Sequence, residues 1–303
     1  MPLFTTSPFS FLVLFSYTSL LLFQCSFDSL EVLWVLMELL TFVFVGIALT
    51  TSGGSFLSYG VVSYFITQRI LSIVLLLTIF SQHFMPLISS YTFVLVLTIL
   101  AKIGGVPFSG WYFSSLSFFP PFIMLIALTI HKLPLLNMCF IVLPNFLASP
   151  SGWALFSAFV FTNLLVIGII SVSRSNLLSL VITTSIGNNS WLLLACVAGG
   201  YALGVFLVIY FLLLSVSFST NPWVSSWGLL SVSGLPPFPI FFIKLSVLWL
   251  LTQQSIFTER FLYLSLTMLM TLLLSFSYIR FVFSRFSTSL SPFMGSLGVI
   301  LYT

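Results

Sequence analysis

Long apolar runs broken by short polar stretches set the pattern of this chain. The runs cover residues 4–23, 30–50, 58–80, 91 onward, 119–143, 153–172, 177–197, 201–217, 227 onward, 261–283 and 292 onward. All but the last supply roughly the 17–25 residues a membrane helix needs, and with the shorter C-terminal run they predict about eleven crossings in an all-α polytopic membrane protein. The punctuation is the acidic stretch with Asp28 and Glu31, the TTSGGS segment, the turn marked by His83 and Pro86, and the SVSRSN segment. Pro120 and Pro121 suit the start of the fifth helix, and Pro134 should kink it. The seventh run, SLVITTSIGNNSW in its centre, is unusually polar for a segment of this kind.

Two of the runs are interrupted. In TILAKIGGVPFSGW, Lys102 is followed at once by Gly104, Gly105 and Pro107; in the ninth run Gly234, Leu235, Pro236 and Pro237 precede Lys244. Glycine loosens the helical backbone, and proline removes an N–H and clashes with the preceding turn. At membrane depth such a break exposes backbone dipoles, so it is tolerated only where protein or an aqueous cavity covers it. A lysine there is costly and reads by default as an ion or proton site. The lysine precedes the first break and follows the second, and the helix count makes the two run in opposite directions. That pairing predicts an inverted-repeat architecture within one transmembrane domain, residues 1–303. The first repeat spans 4–143 with its break near 102–107, the second spans 151–285 with its break near 234–239, and a C-terminal helix occupies 290–303. The plainer alternative is ordinary kinks with lysines snorkelling toward the interface.

Composition agrees with the membrane reading and narrows the chemistry. Hydrophobic residues make up 60% and charged residues 4%, against about 25% charged in a soluble domain. No basic run suggests nucleic acid. Cys25, Cys139 and Cys196 have neither paired nor metal-ligand spacing, so no disulfide framework, iron–sulfur site or other metal site is expected. No signal or transit peptide is read at the N-terminus. Arg174, Arg280 and Arg285 follow even-numbered helices, whereas Asp28, Glu31, Glu259 and Arg260 follow odd-numbered ones. The positive-inside rule then puts the N-terminus on the inner aqueous side.

Four further polar residues fall inside apolar runs: Glu38, Arg69, His131 and Lys132. With these in view the chain resembles the subunit 2 family of mitochondrial respiratory complex I NADH dehydrogenases, which is related to Mrp-type sodium/proton antiporters. The resemblance rests on WVLME ending at Glu38, SYFITQ ending at Gln68, AKIGGVPFSGW ending at Trp111, TIHKLP around Lys132, and GLPPFPIFFIK ending at Lys244, in the family's order. It implies two inverted five-helix repeats and assigns proton transfer to Glu38, Lys102, Lys132 and Lys244. It also implies the truncated form of the subunit, because Glu38 lies in the second helix where the fuller form has it in the fifth. NAD, FMN, iron–sulfur clusters and ubiquinone are expected in other subunits, with none bound by this chain. The expected partners are neighbouring antiporter-like subunits and lipids such as cardiolipin, in the mitochondrial inner membrane with the N-terminus on the matrix side.

Two departures from the family stand out. Many relatives carry lysine where Ser63 stands, and this chain has Arg69 six residues later; Arg69 is expected to partner Glu38. Relatives often have histidine near Asn188 and Asn189, which here can order water but not change charge. His131 points about 100° away from its neighbour Lys132 around the helix, and serves either as a packing residue or as a relay. Burial opposes a charged lysine and a nearby carboxylate supports one, so Glu38 is the natural modulator of Lys102. Three function classes remain: a proton-translocating subunit driven by redox chemistry elsewhere, a stand-alone cation/proton antiporter, and a structural spacer that has lost pumping.

Overall fold

The computed structural model describes residues 8–51, 55–84, 89–174, 176–236, 238–253, 267–269 and 271–283. Every regular element among them is helical. The first half holds α1 (Pro8–Gln24), α2 (Leu30–Thr51), α3 (Ser55–Phe84), α4 (Ser89–Ile103), α5 (Ser109–Leu116), α6 (Pro121–Leu128), a 3₁₀ turn (Ile130–Lys132) and α7 (Leu133–Leu147). The second holds α8 (Pro150–Val172), α9 (Leu177–Ala198), α10 (Gly200–Ser217), α11 (Pro222–Ser233) and α12 (Pro239–Gln253), followed by the helical stretch Thr267–Phe283. Among the described residues six stretches are long and apolar enough to cross a membrane: Leu30–Thr50, Tyr59–Gln82, Pro121–Leu147, Ser151–Val172, Leu177–Ala198 and Gly200–Ser217. The chain is a multi-pass membrane protein.

Both Gly/Pro interruptions divide helices as expected. The first separates α4 from α5 and the second separates α11 from α12. Each half-helix closes on a glycine in the left-handed region, Gly104 at φ 81° and Gly234 at φ 78°. That backbone is strained for any residue with a Cβ.

The fifth helix departs from expectation. It does not bend at Pro134 but stops upstream, at Thr129 (φ −124°, ψ −81°), and restarts through the 3₁₀ turn. Proline removes the bond that would reach the carbonyl four residues back, but it is tolerated in a helix's first turn. The chain therefore places Pro134 at the start of α7 and puts the discontinuity at residues 129–132. Other boundaries move less. Helix α3 runs on through His83, which was expected in a turn, and α11 begins at Pro222, earlier than residue 227. Pro86, Glu259, Arg260, Arg285 and the segments 261–266 and 290–303 lie outside the described residues.

Helix α9 is the hub. It is buried on nearly all sides and packs against α5, α7, α8, α10 and α12. The packing around it has a repeated form. Helices α1, α2 and α3 pack in sequence, with α3 against both α4 and α5; α8, α9 and α10 do the same, with α10 against both α11 and α12. At one end of the molecule Arg280 donates to the carbonyl of Val172, 2.9 Å away at the close of α8, where a cation complements the helix dipole. Arg174, in the following turn, lies 4.4 Å from the Phe113 ring of α5. The end of α8, the end of the stretch Thr267–Phe283 and Phe113 of α5 thus meet around these two arginines. The odd-numbered connection with Asp28 and Glu31 leaves both exposed.

The first break depends on Gly104 for two reasons: its φ, and the Tyr112 ring, whose Cγ would lie 2.6 Å from an added Cβ. Gly104→Ala is expected to cost at least about 1–2 kcal/mol and to lower the thermal unfolding midpoint of the purified protein. Gly110→Ala, where an added Cβ meets nothing within 4 Å, should leave that midpoint unchanged.

Candidate functional site

All three lysines are buried, and each stands at a helix break. Lys102 is in the last turn of α4, Lys132 ends the 3₁₀ turn, and Lys244 lies against Gly234. Sequence reasoning found two of these breaks and read Lys132 as mid-helical.

The last four carbonyls of a helix lack intrahelical partners, and in lipid each unsatisfied group costs several kcal/mol. In α4 all four are met. The carbonyl of Leu100 accepts from Gly105 N at 3.0 Å, and that of Ala101 accepts from Gly104 N at 3.1 Å and from Trp111 Nε1 at 3.2 Å. Lys102 O accepts from Gln68 Nε2 at 3.4 Å, and Ile103 O from Asn189 Nδ2 at 2.9 Å. Beyond the break, Val106 N donates to Asn163 Oδ1 at 3.0 Å. Asn163 is fixed in turn by its own amide, which donates to Ile186 O and Ser190 Oγ on α9. The dipoles exposed by the break are therefore held by side chains from α3, α5, α8 and α9.

Glu38 reaches the same place from α2. Its Oε1 lies 3.4 Å from Lys102 Nζ, and its Oε2 accepts from Arg69 Nη1 of α3. The guanidinium is further held by Thr41 Oγ1 at 3.2 Å and stacks over Phe42 and Phe65, 3.6 and 4.8 Å from the ring centroids. Ser63 Oγ donates within its own helix, to Gly60 O at 2.9 Å. The structure thus brings Glu38, Arg69 and Lys102 together as one cluster.

Lys132 donates to Asn189 Oδ1 at 2.6 Å, so a single amide links Lys132 to the carbonyl next to Lys102. The Lys132 ammonium also lies 5.6 Å from the Tyr112 ring centroid. His131 turns away from Lys132. Its Nδ1 is 3.1 Å from Tyr17 Oη and its ring stacks on Phe44 at 4.6 Å, in an aromatic group with Tyr64 and Phe119. Lys244 lies 5.3 Å from the Trp191 ring centroid. Among the described residues no carboxylate is paired with Lys132 or Lys244.

Helix α9 stands between Lys132 and Lys244. Asn189 and Trp191 are two residues apart, so they point about 200° apart around it. Thr184, Asn188 and Trp191 share a face by their spacing, and Thr184 bonds Tyr278 of the last described helix on that side. Lys132 and Lys244 thus meet α9 at residues on different sides of it.

Sequence reasoning did not pick out Gln68, Asn163 or Tyr17. Asn163 was visible as an amide in an otherwise apolar run, and the cost of burying it unpaired marks it as a residue with a fixed partner. Gln68 was visible only as the end of a motif, and Tyr17 carried no signal.

Asn189→Leu should leave both the Lys132 ammonium and the Ile103 carbonyl unpaired. An orphaned buried group costs about 1–3 kcal/mol, and more when charged. The variant is expected to lose thermal stability on that scale. Asn189→His, which keeps a donor and an acceptor, should recover most of the loss in the same unfolding measurement.

Comparison with known proteins follows the same lines. No family model matches the chain. The protein named NADH-ubiquinone oxidoreductase chain 2 from Artemia franciscana is 26% identical over 244 residues, covering 74% of this chain and 73% of its own length. The protein of that name from Lumbricus terrestris is 27% identical over 256 residues, covering 73% and 72%. Two of the solved structures that share the fold represent it. One is a chain of the Mrp complex from a Dietzia species (TM-score 0.66, 13% identity, covering 82% of this chain and 55% of that one). The other is a chain of respiratory complex I from Thermus thermophilus with bound aureothin (TM-score 0.68, 17% identity, 81% and 63%). This chain therefore spans less than two thirds of either solved chain. In sequence it is similar to the proteins named NADH-ubiquinone oxidoreductase chain 2, as its ordered motifs indicate, and its fold is the one found in complex I and Mrp assemblies.

Proposed function

We propose that this chain is a core membrane subunit of a proton-translocating NADH:ubiquinone oxidoreductase. It moves protons along a buried Glu/Lys/water line, driven by redox chemistry in other subunits. The observation that carries the reading is that each buried lysine stands at a helix break and the first is paired with a buried carboxylate. Intramembrane charge is costly, and a spacer without transport would have no use for three such sites. The names of the relatives support the complex.

The repeated packing of α1–α5 and α8–α12 supports two inverted repeats, residues 4–143 and 151–285, related across α7 and α8. In the proposed order Glu38 modulates Lys102, Lys132 is the next carrier, and Lys244 is the exit-side carrier. Proximity of Glu38 favours a charged Lys102, and its withdrawal or neutralisation releases the proton. Asn189 positions Lys132, and Asn188 with Thr184 orders water on the far side of α9. Arg69 partners Glu38, and His131 is assigned to packing by its bond to Tyr17 and its stacking on Phe44.

The reading places NAD, FMN, iron–sulfur clusters and ubiquinone in other subunits. It places the chain in the mitochondrial inner membrane, with the N-terminus on the matrix side and neighbouring antiporter-like subunits and cardiolipin as partners. The Mrp fold supports a second reading, a stand-alone cation/proton antiporter. Purification separates the two, because a complex subunit co-migrates with many partners.

Lys102→Met tests the role of the line. Loss of a positioned proton-transfer group costs roughly 10²-fold or more in its step. The proton-to-electron ratio of the assembled complex should therefore fall in reconstituted vesicles, and Lys244→Met should lower it as well. An unchanged ratio in both variants would contradict pumping through this chain.

A further inference from the structure

Glu38 sits between two cations of different character. Arg69 keeps its proton under any condition a protein meets, whereas a lysine can release one. The two divide the carboxylate: Arg69 holds Oε2, and Lys102 lies 3.4 Å from Oε1. The guanidinium is a donor with nothing to accept, and so is Lys102 while it is an ammonium, so the Arg69 contact on Oε2 keeps a fixed positive charge against the carboxylate even when Lys102 has become an amine.

The restraints on the two cations differ sharply. Arg69 is fixed from three directions: by the carboxylate, by Thr41 Oγ1 at 3.2 Å with the Glu38 carbonyl at 3.4 Å, and by the Phe42 and Phe65 rings on its faces. Among the described residues Lys102 meets the far carboxylate oxygen and the Met37 sulfur, 3.6 Å away, which is a weak acceptor. Helix α2 contributes both Glu38 and Thr41, so the guanidinium is docked on the carboxylate's own helix.

The other polar groups near the cluster are engaged elsewhere. Gln68 of α3 donates to Lys102 O. His131 of the 3₁₀ turn is bonded to Tyr17 and stacked on Phe44, one helical turn and a half beyond Glu38 on α2. Lys132 donates to Asn189. Among the described residues, Arg69 and Lys102 are the charged groups that meet the carboxylate.

We infer that Arg69 holds Glu38 as a permanent anion, so that the mobile proton of this cluster is carried by Lys102 alone. This rests on the proton-transfer reading above and narrows it. Of the two ways Glu38 could release Lys102, neutralisation and withdrawal, the Arg69 contact closes the first. The step is then balanced at one group: the Lys102 ammonium gives its proton to water or the next carrier and becomes an amine, while Glu38 stays a carboxylate and Arg69 a guanidinium. Arg69 is a positioning residue, since it acts on Lys102 only through Glu38. The cluster alternates between a net charge of +1 and zero.

Infrared difference spectroscopy on the assembled complex tests this directly, with Glu38→Gln used to assign any protonated-carboxyl band. The expected result is no such band from Glu38 in the wild type, at rest or during turnover, a band that appears in Arg69→Gln, and none in Arg69→Lys. A Glu38 band in the wild type, or its absence in Arg69→Gln, would overturn the inference. Should Arg69→Gln fail to assemble, the wild-type comparison with Glu38→Gln alone still decides. The two proposals also fail separately. An unchanged proton-to-electron ratio in Lys102→Met with the expected spectra removes the transport role but leaves the hold of Arg69 on Glu38 intact.

Discussion

In lipid a helix can be interrupted only if every backbone group it exposes finds another partner. That requirement organises this molecule. The end of α4 exposes four carbonyls, and their partners come from the loop itself and from Gln68, Trp111 and Asn189; Asn163 takes the first free N–H beyond the break. Four helices are thereby pinned to one point. The same point holds Lys102, so the residues that close the backbone also fix where the charge sits. Asn189 shows the economy of the arrangement, because one amide satisfies the Ile103 carbonyl and the Lys132 ammonium together.

The charges follow a consistent rule. A buried lysine needs acceptors or a polarisable face, and the breaks provide room for both. Lys102 has a carboxylate, Lys132 an amide oxygen, and Lys244 an indole face beside a left-handed glycine. The cluster at Glu38 is the most constrained, with a guanidinium locked between two phenylalanines. Attraction weakens along the series from carboxylate to amide to aromatic ring. In the proposed role, such a gradient suits stepwise passage of a proton better than a single tight site.

Much of this was legible in the sequence. Among the described residues the apolar runs matched helices to within a few residues, while 261–266 and the run from 292 onward lie outside them; the Gly/Pro clusters marked two breaks because those residues act locally, through φ and the missing N–H. Glu38, Lys102, Lys132 and Lys244 stood out because charge is so scarce here. The third break was hidden, since Pro134 signals a disturbance but the restart of α7 decides on which side of the proline it falls. The bond partners were hidden for a different reason. That Asn189 joins two lysine sites, or that Gln68 closes a carbonyl 34 residues away in sequence, follows from packing between helices, which no local pattern records. Asn189 illustrates the difference: its sequence position suggested a residue that orders water, and the structure gives it two direct protein partners.

Proton passage through this chain, as proposed, requires Lys132 and Lys244 to be connected past the centre of α9, where no direct contact joins them among the described residues. The most direct test is a high-resolution structure of the assembled complex with ordered water resolved from Glu38 to Lys244. The account predicts a continuous file of waters and side-chain oxygens at hydrogen-bonding separations of about 2.7–3.2 Å, passing Asn188 and Thr184. A dry apolar barrier between Asn189 and Lys244 in every state of the cycle would contradict it.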